Sequence, residues 1–464
     1  MIVKLQTIII SIKNWLLCNK HVKFGCNFSL LLLLIQPSFS LIPQKKEGFS
    51  IDLQQIHIDE NTEIALNTSW EFYWNALITP GDFKEKKPSA IVSLNDWTQF
   101  NLPNISTLSS FGYATYRLII SIPKERPPVS LFIPKAYSSS KLWVNGVFIS
   151  EIGHVGKSKE DTQHRRLSQI IPLNTNETIF EIVIQVSNFY HNKAGINKPL
   201  VLGSSNHLYH LKSMLIVSEM LFIGCIGFIG VFFFFFFLFY WNKDQAVIYF
   251  AMLCISLSYM TLSDRYTPFV NVLPSANWIL LTKIEYISFF TAGVSSGLFF
   301  NKILPDFVHK AYLKVIVLCF CFFVMLNIFL FAPYFTKLIA PFLILMVINF
   351  MYMTVIILKA ILVKRYESIL LLSCLLLGSI IFYFHVIFFL GRNGNEIIYV
   401  NFGYIFVFLL LSMLLMKRFS DSFQELERSK KQALIQKKRN FYKVKSTFKC
   451  KLRTRAKFKT FRKL

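Results

Sequence analysis

Val231-Phe-Phe-Phe-Phe-Phe-Phe-Leu-Phe-Tyr240 decides how this chain is read. Six consecutive phenylalanines among other apolar residues leave no side of a helix for water. The run lies in the first of seven apolar blocks: Met214–Tyr240, Ala246–Leu262, Trp278–Phe300, Leu313–Phe331, Leu338–Val363, Leu370–Leu390 and Glu396–Met416. Each is near the ~20 residues an α-helix needs to cross a ~30 Å hydrocarbon core. A backbone in lipid must satisfy its own N–H and C=O groups, so the blocks are predicted helices. One such block could be a buried helix of a soluble protein. Seven in succession predict a membrane bundle spanning 207–416.

Composition agrees. Of 464 residues, 54% are hydrophobic and only 16% are charged, below the ~25% usual in soluble domains. The net charge of +25 is concentrated after Met416, and from Arg428 to Leu464 there is no Asp or Glu. Of the eight cysteines none falls between Leu41 and Asn206, so that segment has no disulfide framework and no thiolate metal site.

Upstream, Lys13, Lys20 and Lys23 precede the apolar run Phe28–Ile35 and then Ser38-Phe39-Ser40. This is the layout of a secretory signal over 1–40, with an uncleaved anchor as the alternative. Residues 41–206 then change character. Tyr113–Ile122, Val129–Ile133, Lys141–Val144, Val147–Ile149 and Ile179–Val186 are short β-rich runs separated by turn residues. They predict an all-β sandwich, translocated by the signal. Asn145-Gly146 between two of them predicts a two-residue hairpin, because both residues tolerate positive φ.

The order of several motifs resembles a known family. Ser69-Trp-Glu-Phe-Tyr-Trp-Asn-Ala-Leu77, Trp97, Gly112-Tyr-Ala-Thr-Tyr-Arg117, Leu142-Trp-Val-Asn-Gly146, Gly153-His-Val-Gly-Lys157 and Ile184-Gln-Val-Ser-Asn188 are similar to the galactose-binding-like jelly roll of bacterial receptors. In those receptors it precedes the seven-helix domain known as the 7TM receptor with diverse intracellular signalling modules. Asp264-Arg-Tyr266 and Lys283-Ile-Glu-Tyr286 resemble that family's second and third helices. The resemblance covers about Phe49 to Leu426. It implies an extracytoplasmic sensor, a membrane relay and a cytoplasmic output in the bacterial inner membrane. Here only 48 residues follow Met416, too few for a kinase or cyclase, and a truncated or frame-shifted gene is one reading of that.

Loop charge supports this orientation. Lys243, Lys302, Lys310, Lys314, Lys359, Lys364 and Arg365 fall on the side opposite the sandwich, against Arg265, Lys337 and Arg392 on its own side. The tail, 417–464, starts as a helix. Phe419, Phe423, Leu426 and Ala433 would begin a two-stranded seam and hence a homodimer, until Lys430 and Lys437 interrupt it. Beyond Arg428 the like charge predicts disorder, or an electrostatic hold on anionic membrane lipid at ~1 kcal/mol per basic residue. Nothing there resembles a folded nucleic-acid reader.

Chemistry is sparse. There is no phosphate loop, no nucleophile elbow, no zincin motif and no lysine in the last block for a retinal Schiff base. No cofactor and no enzyme activity is expected. His207 and His210 read as interfacial residues, not as ligands. Ionisable residues within the blocks carry more information, since charge is costly in hydrocarbon. Glu219, Asp264, Arg265, Lys283 and Glu285 fall toward the sandwich side and His385 lies deep. They form a candidate polar relay, with Lys283 snorkelling and Glu285 paired to Lys283 or Arg265 as the plainer account. In the sandwich, Trp70, Phe72 and Trp74 read as a core strand, and Trp97, Tyr137 and Tyr190 as candidates to stack on a small extracytoplasmic ligand such as a carbohydrate. The expectation is a receptor acting through a cytoplasmic signalling partner. A ligand-gated transporter or channel is the alternative.

Overall fold

A computed structural model describes residues 46–47, 50–84, 86–103, 105, 107–136, 139–239, 244–262, 277–362, 367–390 and 396–461. The leader (1–40), Tyr137, Asp264 and Arg265 lie outside the described residues, as does the side chain of His385.

Among the described residues twelve strands form two sheets. They are β1 (Lys46–Glu47), β2 (Ser50–Asp52), β3 (Glu63–Leu66), β4 (Trp70–Trp74), β5 (Ala90–Val92), β6 (Gly112–Ser121), β7 (Val129–Ile133), β8 (Ser139–Val144), β9 (Val147–Ile152), β10 (Gln169–Pro172), β11 (Ile179–Asn188) and β12 (Leu200–Ser204). The larger sheet runs β1-β2-β6-β11-β8-β9, with β4 and β5 added beside β6. The smaller runs β10-β7-β12-β3. Among the described strand pairs, β2 against β6 is the parallel one. The hairpin expected at Asn145-Gly146 is present, joining β8 to β9 with φ of 48° and 78°, the positive values a type I′ turn requires.

Alternation explains the core, with one addition. Trp70, Phe72, Tyr116, Leu118, Ile120, Phe180, Ile182 and Ile184 point between the sheets and are buried. The opposite face of β4 is covered as well. Tyr73 packs with Ile78, Phe83, Trp143 and Val183 under the segment that follows β4. Arg117 sits over the Phe83 ring at 4.7 Å and bridges Glu71 (3.0 Å) and Glu181 (2.7 Å). The strand Trp70-Glu-Phe-Tyr-Trp74 is therefore enclosed on both faces.

Each of the seven apolar blocks is helical over most of its described residues. The helices are α1 (Ser205–Phe239), α2 (Gln245–Leu262), α3 (Trp278–Ile303), α4 (Lys310–Phe329), the short α5 (Ala332–Phe335), α6 (Ile339–Leu362), α7 (Glu367–Leu390) and α8 (Glu396–Phe461). Among the described residues, four stretches are long and apolar enough to cross a membrane: Ser205–Phe239, Lys310–Phe329, Ala332–Ala360 and Ile398–Asn440. Gln245–Thr261 and Ser373–Phe382 are apolar but shorter, and α3 carries Lys283, Glu285 and Lys302. The molecule is a membrane protein with helices on this plan, and the count of spans is coarser than the seven expected. Close packing uses small residues. A Cβ on Gly230 of α1 would meet Ile255 Cγ1 at 2.8 Å and Cys254 Cβ at 3.0 Å on α2.

Two boundaries differ from the sequence reading. Helix α1 begins at Ser205, not near Met214, because β12 passes into it with no linker. Helix α8 runs on to Phe461, where the charge pattern beyond Arg428 predicts disorder. The residues there are mostly good helix formers, and Glu427 and Lys431 form an i,i+4 pair at 3.1 Å.

Candidate functional site: the seam between sandwich and helices

The sandwich meets the helical region in two places. The first is the strand-to-helix passage. The Ser205 amide donates to the Pro128 carbonyl at 2.8 Å, and the Ser130 and Ser205 hydroxyls lie 2.7 Å apart. His207 Nε2 is 2.9 Å from Glu63 Oε1, and Ser204 donates to Glu60 at 2.9 Å. His207 thus ties the first turn of α1 to β3. Among the described residues no group of histidine, cysteine or carboxylate side chains is arranged to hold a metal ion.

The second place is a seam of aromatic, imidazole and charged groups. The segment between β9 and β10 supplies His164, Arg165 and Arg166. The segment after β11 supplies Tyr190, His191, Asn192 and Lys193. Facing them are the first two turns of α3 and the turn Thr336–Leu338 that follows α5. Arg166 Nη1 lies 3.4 Å from Glu285 Oε2, with both side chains largely buried. The Asn192 amide donates to Thr336 Oγ1 at 3.1 Å. The His164 ring is edge-on to Tyr190 at 3.9 Å and tilted toward Trp278 at 5.2 Å, while His191 is edge-on to Trp278 at 6.5 Å. Tyr190 and Trp278 both pack against the apolar cluster around Tyr286, Phe290 and Phe342.

Local rules place these groups. Asn277 caps α3, its side chain accepting from the Ile279 and Leu280 amides. That starts the helix at Trp278 and puts Glu285 two turns in. In the facing loop, Asn188 accepts from the His191 amide at 3.1 Å and donates to the His191 carbonyl at 2.7 Å. Gly195 has φ of 74°, and a Cβ there would meet Tyr116 Oη at 2.5 Å and the Trp97 ring at 3.0 Å. Glycine is required for the loop to close over the core at that point.

Burial sets the charge states. His164 is pushed down to about 4 by burial. His191 is pushed down to about 3, by burial first and then by the positive charge of Arg166. Lys193 is lowered by burial, with Asp96 opposing and Arg166 adding to the shift. Both imidazoles are therefore neutral at pH 7 and sit beside cations.

The residues singled out in the sequence divide. Trp97 is wholly buried, donating from Nε1 to the Ser109 carbonyl at 2.8 Å. It is a core residue with no face for a ligand. Tyr190 belongs to the seam, with Lys159 Nζ 5.1 Å above its ring. Glu285 turns to Arg166 on the sandwich. Lys283, on the same helix, turns away: its Nζ donates to the Ile328 carbonyl at the end of α4 at 2.8 Å and lies 5.7 Å from the Phe335 ring. A cation there complements the negative end of α4. Glu219 is buried in α1, beside Ser218, whose hydroxyl accepts from Asn401 of α8 at 3.3 Å.

Sequence patterns do not single out Arg166, His164 or His191. Arg166 and Glu285 are 119 positions apart. The one available signal is the basic run His164-Arg-Arg166 in a β-rich segment.

A separate exposed edge lies at β8–β9. Phe148 is 52% exposed beside Val147 and Ile149. Lys141 Nζ is 5.5 Å from both the Trp143 and Phe148 rings and 3.6 Å from Glu151, which also meets His154 at 3.0 Å.

A β-sandwich that passes without a linker into apolar helices, and is bonded to them again through a polar seam, is the arrangement of a membrane protein whose two parts touch in two places. Residues 217–418 match the family model for 7TM diverse intracellular signalling. The helical region is similar to the transmembrane domain of that family. No curated protein matches the chain. Among solved structures the sandwich overlaps parts of glycoside hydrolases. A glycosyl hydrolase family 2 member from Bacteroides cellulosilyticus is 16% identical at TM-score 0.23, covering 30% of this chain and 20% of that one. A β-glycosidase from Bacteroides vulgatus is 19% identical at TM-score 0.22, covering 30% and 20%. The Ruminococcus gnavus β-glucuronidase is 12% identical at TM-score 0.22, covering 36% and 30%. This chain spans under a third of those enzymes' lengths, and overlaps this slight carry no inference about activity.

Proposed function

We propose that this protein is a receptor of the bacterial cytoplasmic membrane whose sandwich, on the extracytoplasmic side, binds a small ligand of the carbohydrate class. The bound state would pass to the helices through the seam and the β12–α1 passage, and on through basic α8 to a cytoplasmic partner. The observation that carries this reading is the Arg166–Glu285 pair, an ion pair between the sandwich and a helix of the signalling domain. A tether alone would need no such pair. The exposed Phe148 ring beside Lys141 and Glu151 offers what a saccharide uses, an apolar face to stack on with polar groups at its rim.

The test uses the full chain in lipid nanodiscs titrated with a panel of mono- and oligosaccharides, read by calorimetry and by hydrogen exchange in α3 and α8. Binding that alters exchange in the helices supports the receptor. Saturating amounts of every sugar without heat, or binding that leaves the helices unchanged, sinks it.

A further inference from the structure

The two histidines of the seam are not among the residues of the Phe148 edge; they lie where the sandwich meets α3. We infer that the seam is a proton-operated latch: His164 and His191, wedged neutral between the sandwich loops and Trp278, hold it closed, and external acid opens it by charging them. This rests on the receptor reading above and names a stimulus for it.

Burial is the largest influence on both rings and sets the sign. His191 is 4% exposed, accepts at Nδ1 from the Lys193 amide at 2.9 Å, and faces Trp278. Arg166, Lys193 and His164 act on it with positive charge or the capacity for it, while the Lys193 carbonyl, 3.2 Å from Nδ1, acts the other way more weakly than burial and Arg166. From the segment before β10 come Lys159, over Tyr190, and Arg165. From the helices come Glu285, already engaged by Arg166, and Lys283, directed to the end of α4. Lys337 follows Thr336 and is exposed. Asp96 acts on Lys193. Of the groups that act on the His191 ring, Arg166 and Lys193 carry positive charge. Further positive charge placed here meets net repulsion in a desolvated space, whereas the separated surfaces would solvate it.

The energetics follow from linkage. In the open state each ring has its ordinary value of 6.5, and in the closed state about 4 for His164 and about 3 for His191. Both are lowered on closing, so the closed state is favoured fully above 6.5 and loses that advantage as pH falls. Between pH 7.5 and 5.0 each histidine shifts the open-to-closed ratio about 30-fold, and the two together about 1000-fold. The latch can therefore respond at mildly acid pH, well above the closed-state values, whenever the seam is only modestly stable.

The Asn192 amide, which donates across the seam to Thr336, is the reporter. Hydrogen exchange would be followed on the full chain in nanodiscs at pH 7.5, 6.0 and 5.0, corrected for the intrinsic pH dependence of exchange. Expected is a fall in Asn192 protection approaching 1000-fold at pH 5.0, while amides of β6 and β11 stay protected. In the His164→Gln/His191→Asn double variant the fall should vanish. If that variant does not fold, His164→Gln alone should reduce it by about 30-fold. Three outcomes would overturn the latch: protection changing less than threefold in the wild type, β6 and β11 opening in step with Asn192, or the double variant retaining the full response. The last would assign the effect to a group other than these two histidines. No sugar enters this measurement, so its failure and a failure of the saccharide titration are separate results.

Discussion

The interior of the sandwich and the seam beneath it are built from different materials. The interior is aliphatic and aromatic, from Trp70 and Phe72 through Tyr116 to Phe180, and its polar atoms face the backbone, as Trp97 Nε1 faces the Ser109 carbonyl. The seam is polar instead: Arg166 and His191 are buried in it, and Glu285, His164 and Lys193 are half-buried. Apolar burial scales with the area removed from water and is insensitive to pH. A polar contact between two folded bodies is worth little net while paired and costs much when one partner is lost. The first arrangement preserves a shape, and the second can be set in either of two states.

That contrast can be broken at several points. The largest effect is expected from Trp97→Ala, which removes a fully buried indole from the core and should destabilise the sandwich by about 3–5 kcal/mol. Thermal unfolding followed at the β-sheet would show it, and a loss below about 1 kcal/mol would mean the interior is less tightly packed than its burial implies. Next is Glu285→Gln, which leaves Arg166 facing a neutral amide. It should weaken the seam by about 1–3 kcal/mol, read as faster exchange at Asn192, and leave the melting of the sandwich unchanged. If the sandwich melts earlier as well, seam and interior are one cooperative unit. Asn145→Ala puts an ordinary residue at φ of 48° in the hairpin and should cost about 1 kcal/mol, again seen in melting alone. Phe148→Ala should change stability by less than about 0.5 kcal/mol because the ring is exposed, and should remove saccharide binding.

Much of the fold is legible in advance, and particular residues show why. The phenylalanine run at 232–237 and the hairpin at Asn145-Gly146 are local. The first reports its solvent, the second its backbone angles, and neither needs a distant partner. Trp97 misleads because its sequence neighbourhood resembles a loop. It is a short helical turn, Trp97–Gln99, folded inward over Tyr116 and Gly195. Glu285 stands out as an acid in an apolar block, but the sequence points to neighbouring helices for its partner, and the structure supplies Arg166 from the sandwich. Tyr190 reads as an aromatic on an open ligand face, whereas it packs into the helical cluster.

By itself, then, the order of residues determined which parts of this molecule meet lipid and which alternate into sheets, because hydropathy and backbone preference act over a few neighbours at a time. Tertiary structure alone decided that His164, Arg166 and His191 would meet Trp278 and Glu285, since contacts between residues so far apart in the chain depend on how whole sheets and helices pack and leave no periodic trace in the sequence.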